Sequence, residues 1–262
     1  MRILKKKIKG FCYSILNLIS LFFPNSGASI LMYHSIGENN IFSTVKPESF
    51  KKQMDYLKKR KYKVIFLADL ISVLKNKKKT PQKTVTLTFD DGYEDFFLNA
   101  FPILKKYNFK ATLFLTTSLI GKTVKKQNNF MKMLNWKEIR EMYYSGLIDF
   151  EPHTLTHLKL TKIPIEEAKR EILESKEIIE RKLKKSCRFF CYPYGDYNQE
   201  IIKILKENNF QAVVTIKPGL VKIGDNLFLL KRNSIDSTVE MSEFKGKLQK
   251  SVEIFYFLKN LI

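Results

Sequence analysis

Thr86-Leu87-Thr88-Phe89-Asp90-Asp91-Gly92-Tyr93 sets two adjacent carboxylates at the end of an apolar, β-branched run and directly before a glycine. Open-mouthed α/β folds carry their chemistry at such strand ends. Like charges this close repel, and a cation or a proton is needed to relieve them. Sixty-two residues after Asp91 the chain reads His153-Thr154-Leu155-Thr156-His157, two imidazoles four residues apart. One carboxylate with two histidines makes a divalent-metal set and leaves the second carboxylate available as a base. The pattern therefore points to metal-assisted hydrolysis.

Outward from this stretch, short apolar runs alternate with helical patterns, as in βα units and unlike a sandwich. Strands are expected at Ser29–His34, Lys63–Phe66, Thr84–Phe89, Ala111–Thr116, Leu147–Glu151, Arg188–Tyr192, Ala212–Thr215 and Leu227–Leu230. Helices are expected at Pro47–Arg60, Phe96–Tyr107, Trp136–Ser145, Ile165–Leu183 and Asn198–Glu207, with a tail helix after them. Seven or eight such repeats suggest a barrel, with a doubly wound open sheet as the alternative. The charged loop Lys75–Lys83 and the polar stretch Gly121–Asn129 read as surface excursions within one domain.

Composition narrows the classes. The 262 residues are 44% hydrophobic, enough for a sizeable core. The net charge of +21 suits an anionic surface, yet the basic residues are spread along the chain without interleaved stacking aromatics. Nucleic acid is therefore not expected as a partner. Cys187 and Cys191, if on one strand, lie about 13 Å apart at roughly 3.3 Å per residue, too far for a disulfide. Buried thiols are expected.

Both ends lean toward a membrane. Arg2, Lys5, Lys6, Lys7 and Lys9 precede the apolar stretch Phe11 to Phe23, too short for a bilayer span of about 20 residues. A cleaved signal ending at Ser26-Gly27-Ala28 is one reading. The others are an interfacial helix whose polar side carries Lys6, Lys7, Gly10, Ser14, Asn17 and Ser20, and an ordinary core helix. Phe244 to Ile262 repeats the theme. The expected division is a membrane-associating or signal-like segment at 1–27, a catalytic barrel at 28–240 and an amphipathic helix at 241–262. Peripheral membrane association is expected, with secretion to the cell surface as the alternative.

At the site, Asp91 is expected to give the oxygen ligand and His153 and His157 the nitrogen ligands, leaving positions open for water and substrate. A helical turn across 153–157 would bring both rings to one side. Asp90 is the candidate general base, with a role as turn or capping aspartate the plainer reading.

These residues resemble the polysaccharide deacetylase family, the NodB-homology or carbohydrate esterase family 4 group. The likeness rests on Thr88-Phe89-Asp90-Asp91-Gly92, His153-Thr154-Leu155-Thr156-His157 and Phe190-Cys191-Tyr192-Pro193-Tyr194-Gly195, and spans roughly Ser29 to Ser234. It implies an irregular (β/α)7-type barrel, to which the sequence ends add amphipathic N- and C-terminal helices within a single domain. It also implies one divalent metal ion, zinc foremost, and removal of N-acetyl groups from the amino sugars of a polysaccharide or lipid-linked saccharide. By this resemblance Asp90 is the base, Asp91, His153 and His157 hold the metal, and the Tyr194 backbone N–H helps to hold an oxyanion.

Two departures stand out. The arginine expected two residues before proline is Cys191, which removes a support for the base; Arg188 or Arg232 could substitute. The late histidine expected as general acid is absent. His34, in Leu31-Met32-Tyr33-His34-Ser35, is similar to the acid of the exopolysaccharide (poly-N-acetylglucosamine) deacetylase branch, in which a permuted barrel sets the first strand beside the last.

Three other readings compete. A glycosidase needs two carboxylates about 5–9.5 Å apart across a sugar, and neighbours on one strand point to opposite faces. A catalytically silent carbohydrate-binding or scaffold domain is a second, and a deformylase of a formamido sugar a third.

Overall fold

Ser29–Tyr33 (β1), Thr84–Phe89 (β2) and Ala111–Leu115 (β3) are buried along their whole length. Such continuous apolar, β-branched runs are what parallel strands covered on both faces require. The computed structural model describes residues 2–22, 27–78 and 80–260. Ile148–Pro152 (β4), Phe189–Cys191 (β5), Ala212–Val214 (β6) and Asn233–Ser234 (β7) complete a parallel set. The hydrogen-bonded order is β7-β1-β2-β3-β4, with β5 paired to β6. Val214 of β6 bridges in parallel to Leu230, just ahead of β7. A further short strand, Lys63–Ile65, lies along the first half of β2. This is an irregular (β/α)7 barrel in one domain.

Register puts the first and last strands side by side, with Leu31 opposite Asn233 and Met32 opposite Ser234. The irregularity falls between β4 and β5, where no ladder forms among the described residues. There the buried Glu151 carboxylate accepts the backbone N–H groups of Arg188 and Phe189, each at 3.0 Å, and meets Lys185 at 3.1 Å. A side chain thus satisfies donors that a neighbouring strand would otherwise take.

The helices are Arg2–Ile19 (α1), Pro47–Lys59 (α2), Leu67–Lys75 (α3), Phe101–Tyr107 (α4), Trp136–Tyr144 (α5), Ile165–Leu183 (α6), Gln199–Glu207 (α7), Met241–Lys247 (α8) and Ser251–Lys259 (α9). Five elements depart from expectation. Helix α3 was not foreseen; its leucines and Ile71 bury one face. The region 227–230 is not a strand, because Asn226 caps a short 3-10 turn at Leu227–Leu229 and the strand forms at Asn233–Ser234. The stretch 121–129 contributes to an antiparallel hairpin of Thr123–Lys126 and Asn129–Lys132. The tail is two helices rather than one. The expected polar side of α1 is only partly its solvent side: Gly10 and Ser20 are buried, Asn17 is half-buried and Ser14 is exposed, and the side chains of Lys6 and Lys7 lie outside those described. Lys79 of the Lys75–Lys83 loop and Ser26 of the expected cleavage site lie outside the described residues.

Candidate active site

Chemistry-bearing residues gather because each follows, or ends, a barrel strand. His34 comes after β1, Asp90 after β2, His153 after β4, and Cys191 closes β5. Parallel strands bring these ends to one mouth. After Asp90 the chain leaves the strand through left-handed backbone, Asp91 at φ 74° and Gly92 at φ 89°. A Cβ on Gly92 would stand 2.8 Å from Leu115, so only glycine fits this turn. Strand alternation therefore does not separate the two aspartates, and both come into reach of His153.

Asp91 is held asymmetrically. Its Oδ2 accepts from the Tyr93 hydroxyl at 2.8 Å and from Lys126 Nζ at 2.9 Å. Its Oδ1 is buried and has no hydrogen-bond partner. That oxygen faces His153 Nε2 at 3.6 Å and His157 Nε2 at 3.3 Å. Burial pushes the Asp91 carboxyl up, but Lys126 foremost, with the neighbouring histidines, pulls it below the usual carboxylate range.

The 153–157 segment is not helical, contrary to the spacing argument. Thr154 at φ 66° and His157 at φ 67° fold it as a tight loop. Buried Glu171 of α6 fastens this loop, accepting from Thr156 N–H at 2.8 Å and from the Thr156 hydroxyl at 2.7 Å. The rings still meet, centroids 4.8 Å apart. His153 Nδ1 donates to the Cys191 carbonyl at 2.8 Å, which leaves its Nε2 lone pair for the site. Burial lowers both imidazoles, His157 to about 4, so each is neutral at ordinary pH.

Asp90 is clamped by Arg232. Guanidinium nitrogens sit 2.7 Å from each carboxylate oxygen, a bidentate pair fully inside the protein. Arg232 also donates to Thr88 Oγ1 at 3.2 Å and to the Thr215 carbonyl at 2.9 Å, and lies 3.0 Å from the Cys191 sulfur. Burial would raise the Asp90 carboxyl; the guanidinium beside it holds it below the usual range. Arg232 thus supplies the charge missing at Cys191, whereas Arg188 stacks on Phe189 at the barrel's other side of that strand. Asp90, His153 and Cys191 also form a tight group, but the guanidinium is already its cation.

His34 lies near enough for both Asp90 and Asp91 to raise its pKa against the larger lowering by burial, and its Nδ1 is buried without a partner. Tyr194 takes left-handed backbone, φ 59°, and lays its half-exposed ring 4.7 Å from that of His157. A cavity of about 220 Å³ opens here between Asp91, Tyr93, Lys126, His157 and Tyr194.

All six expected site residues therefore converge. Lys126, Glu171 and Tyr93 were missed. No alternation marks Thr123–Lys126 or Asn129–Lys132 in the sequence, and the Gln127-Asn128 turn lacks the glycine that marks hairpins, so nothing local pointed to Lys126.

Donor chemistry fits a divalent ion at Asp91, His153 and His157. Their ligand atoms lie within 4.8 Å of one another, two are neutral nitrogens, and the third is an ionised oxygen lacking a partner.

Comparison with known proteins identifies the family. Residues 77–213, just over half the chain, match the family model described as polysaccharide deacetylase. The protein YxkH of Bacillus subtilis is 32% identical over 84% of this chain and 75% of its own length. A poly-β-1,6-N-acetyl-D-glucosamine N-deacetylase of Staphylococcus epidermidis is 35% identical over 68% of this chain and 63% of its own. Among solved structures, the Streptococcus pyogenes deacetylase PplD in complex with acetate superposes with a TM-score of 0.76 at 27% identity, covering 86% of this chain and 100% of that one. By motif order, barrel and these likenesses together, the chain belongs to the polysaccharide deacetylase family.

Proposed function

We propose that the protein is a metal-dependent carbohydrate N-deacetylase that removes acetyl groups from amino sugars of a polysaccharide or lipid-linked saccharide. The observation that carries this reading is the buried, unpartnered Asp91 Oδ1 facing two imidazole nitrogens. Asp91, His153 and His157 would hold one divalent ion, zinc by their donor set. When bound, such an ion supplies Lewis acidity, polarising the amide carbonyl and acidifying a water.

The chain's residues divide the remaining work. Asp90, kept ionised and fixed in direction by Arg232, accepts the proton of the attacking water. The departing amine needs the proton that Asp90 has taken from the water, and His34, with an unpartnered ring nitrogen near both aspartates, would pass it on. The Tyr194 backbone N–H adds a donor for the carbonyl oxygen as it gains charge, while the Tyr194 ring and the His157 edge give a sugar a flat wall. The name of the staphylococcal relative makes β-1,6-linked N-acetylglucosamine oligomers the first substrate to test.

The experiment is metal analysis of the purified protein together with acetate release from those oligomers. One ion per chain and chelator-sensitive release are expected. Asp90→Asn should keep its metal and lose activity by about 10²–10⁴-fold. Near-normal turnover in Asp90→Asn would remove Asp90 as the base, and formate release from a formamido sugar in place of acetate would reassign the acyl group.

A further inference from the structure

Helix α1 presents two unlike faces. Gly10, Tyr13, Leu16 and Ser20 are buried against α8 and α9. The fit is close: the Tyr13 ring packs where a side chain on Gly246 would stand and stacks on Phe255 at 4.6 Å. Asn17 donates to the Ser242 carbonyl at 2.9 Å, Ser251 donates to the Leu16 carbonyl at 3.1 Å, and Lys9 pairs with buried Glu243 at 2.6 Å. Between Lys9 and Ser20 this side of the helix, Ser14 apart, is thus spent on the protein itself.

Apart from Ser14, what remains outward between Ile8 and Phe22 is apolar. Ile8, Phe11, Ile15, Leu18 and Phe22 recur at alternating spacings of three and four, the stripe of one helix face, and Phe11, Leu18 and Phe22 are 68%, 66% and 88% exposed. Helix α9, packed beside α1, adds Phe257 at 65% and Leu258 at 46%. Soluble monomers rarely leave such a contiguous patch bare.

We infer that this two-helix face is a docking surface for an anionic lipid bilayer, lying in the headgroup region. Charge chooses the occupant. The first turns of α1 carry Arg2, Lys5, Lys6 and Lys7, and the chain as a whole is +21. A second copy would bring like charge against like, whereas acidic headgroups complement it, at a gain that grows with each lysine near the surface. The face lies on the membrane and does not cross it: no helix among the described residues is long and apolar enough to span. This surface is independent of the chemistry proposed for the barrel mouth.

The test is co-sedimentation of the full chain with vesicles of phosphatidylglycerol and phosphatidylcholine in equal parts, against vesicles of phosphatidylcholine alone. Binding to the anionic vesicles, weakened by salt, is expected. Phe11→Ser with Leu18→Ser should weaken it about a hundredfold, since two large side chains no longer enter the lipid. Both sites are exposed, so the circular dichroism and acetate release on soluble oligomers should match the parent chain. A chain that stays in the supernatant, binding indifferent to the two substitutions, or a dimer that the same substitutions dissolve would each overturn the inference.

Discussion

The mouth of the barrel and the helical foot beneath it both bury charge, and they treat it differently. At the foot, Glu243 is held between Lys9 at 2.6 Å and Lys247 at 2.7 Å, and Lys247 Nζ also donates to the Ser234 carbonyl at 2.6 Å. These groups bind one element to another. At the mouth, Asp90 is equally well paired with Arg232, but Asp91 keeps one oxygen unpartnered and four neighbours, Asp91, Thr154, His157 and Tyr194, sit in left-handed backbone. Strain and an unsatisfied acceptor persist only where the surroundings over-determine them, and they cluster at functional sites. The foot also buries an unpartnered hydroxyl, on Tyr13, but its charged groups are all paired, whereas the mouth leaves a charged oxygen facing two imidazoles.

Three measurements break or sharpen that contrast. The largest effect is expected at Arg232. Arg232→Met leaves Asp90 charged and alone in the interior, which should cost about 3–5 kcal/mol of stability, read from denaturant unfolding, and should depress acetate release beyond the loss of folded protein. Unchanged stability would mean that Asp90 takes up a proton or another partner, and the two regions would no longer differ in kind.

The second is pH. His157 is lowered from 6.5 to about 4 in the folded chain, burial being the main cause. An unfolded chain therefore binds more protons than the folded one between these values, so stability of the metal-free protein is full above about 6.5 and falls as pH drops toward 4. The loss should be roughly 2–3 kcal/mol, seen in melting temperature. His157→Gln should flatten the slope; a slope unchanged by the substitution would place the sensitive group elsewhere.

The smallest effect is at Lys126. Its ammonium competes for Asp91 with any bound ion. Lys126→Met should tighten metal binding by about tenfold, measured by competition with a chromophoric chelator. Weaker binding would show that Lys126 serves instead to orient the carboxylate.

Much of this was legible in the sequence, for physical reasons. Thr84–Phe89 and Ile165–Leu183 appear with the expected bounds, because an uninterrupted buried run and a long 3.6-residue period are strong local signals. Asp90, Asp91, His153 and His157 were readable because their spacing is itself the constraint. Arg232 was only one of two candidates for the missing charge, since nothing local says that a residue 142 positions on will return to Asp90. The loop at 153–157 was taken for a helical turn, where Glu171 from another element supplies the hydrogen bonds that a helix would have made. Lys126 went unnoticed because its hairpin is short and charged, and its turn has no glycine.

The junction of α8 with the barrel fixes one more thing. The Ser29 hydroxyl at the start of β1 donates to the Lys247 carbonyl at 2.7 Å, whereas His34 stands at the strand's far end. Five residues at about 3.3 Å each separate the two, roughly 17 Å. Lys247 also reaches the Ser234 carbonyl at the end of β7 with its Nζ, so one residue of α8 clasps the first strand to the last.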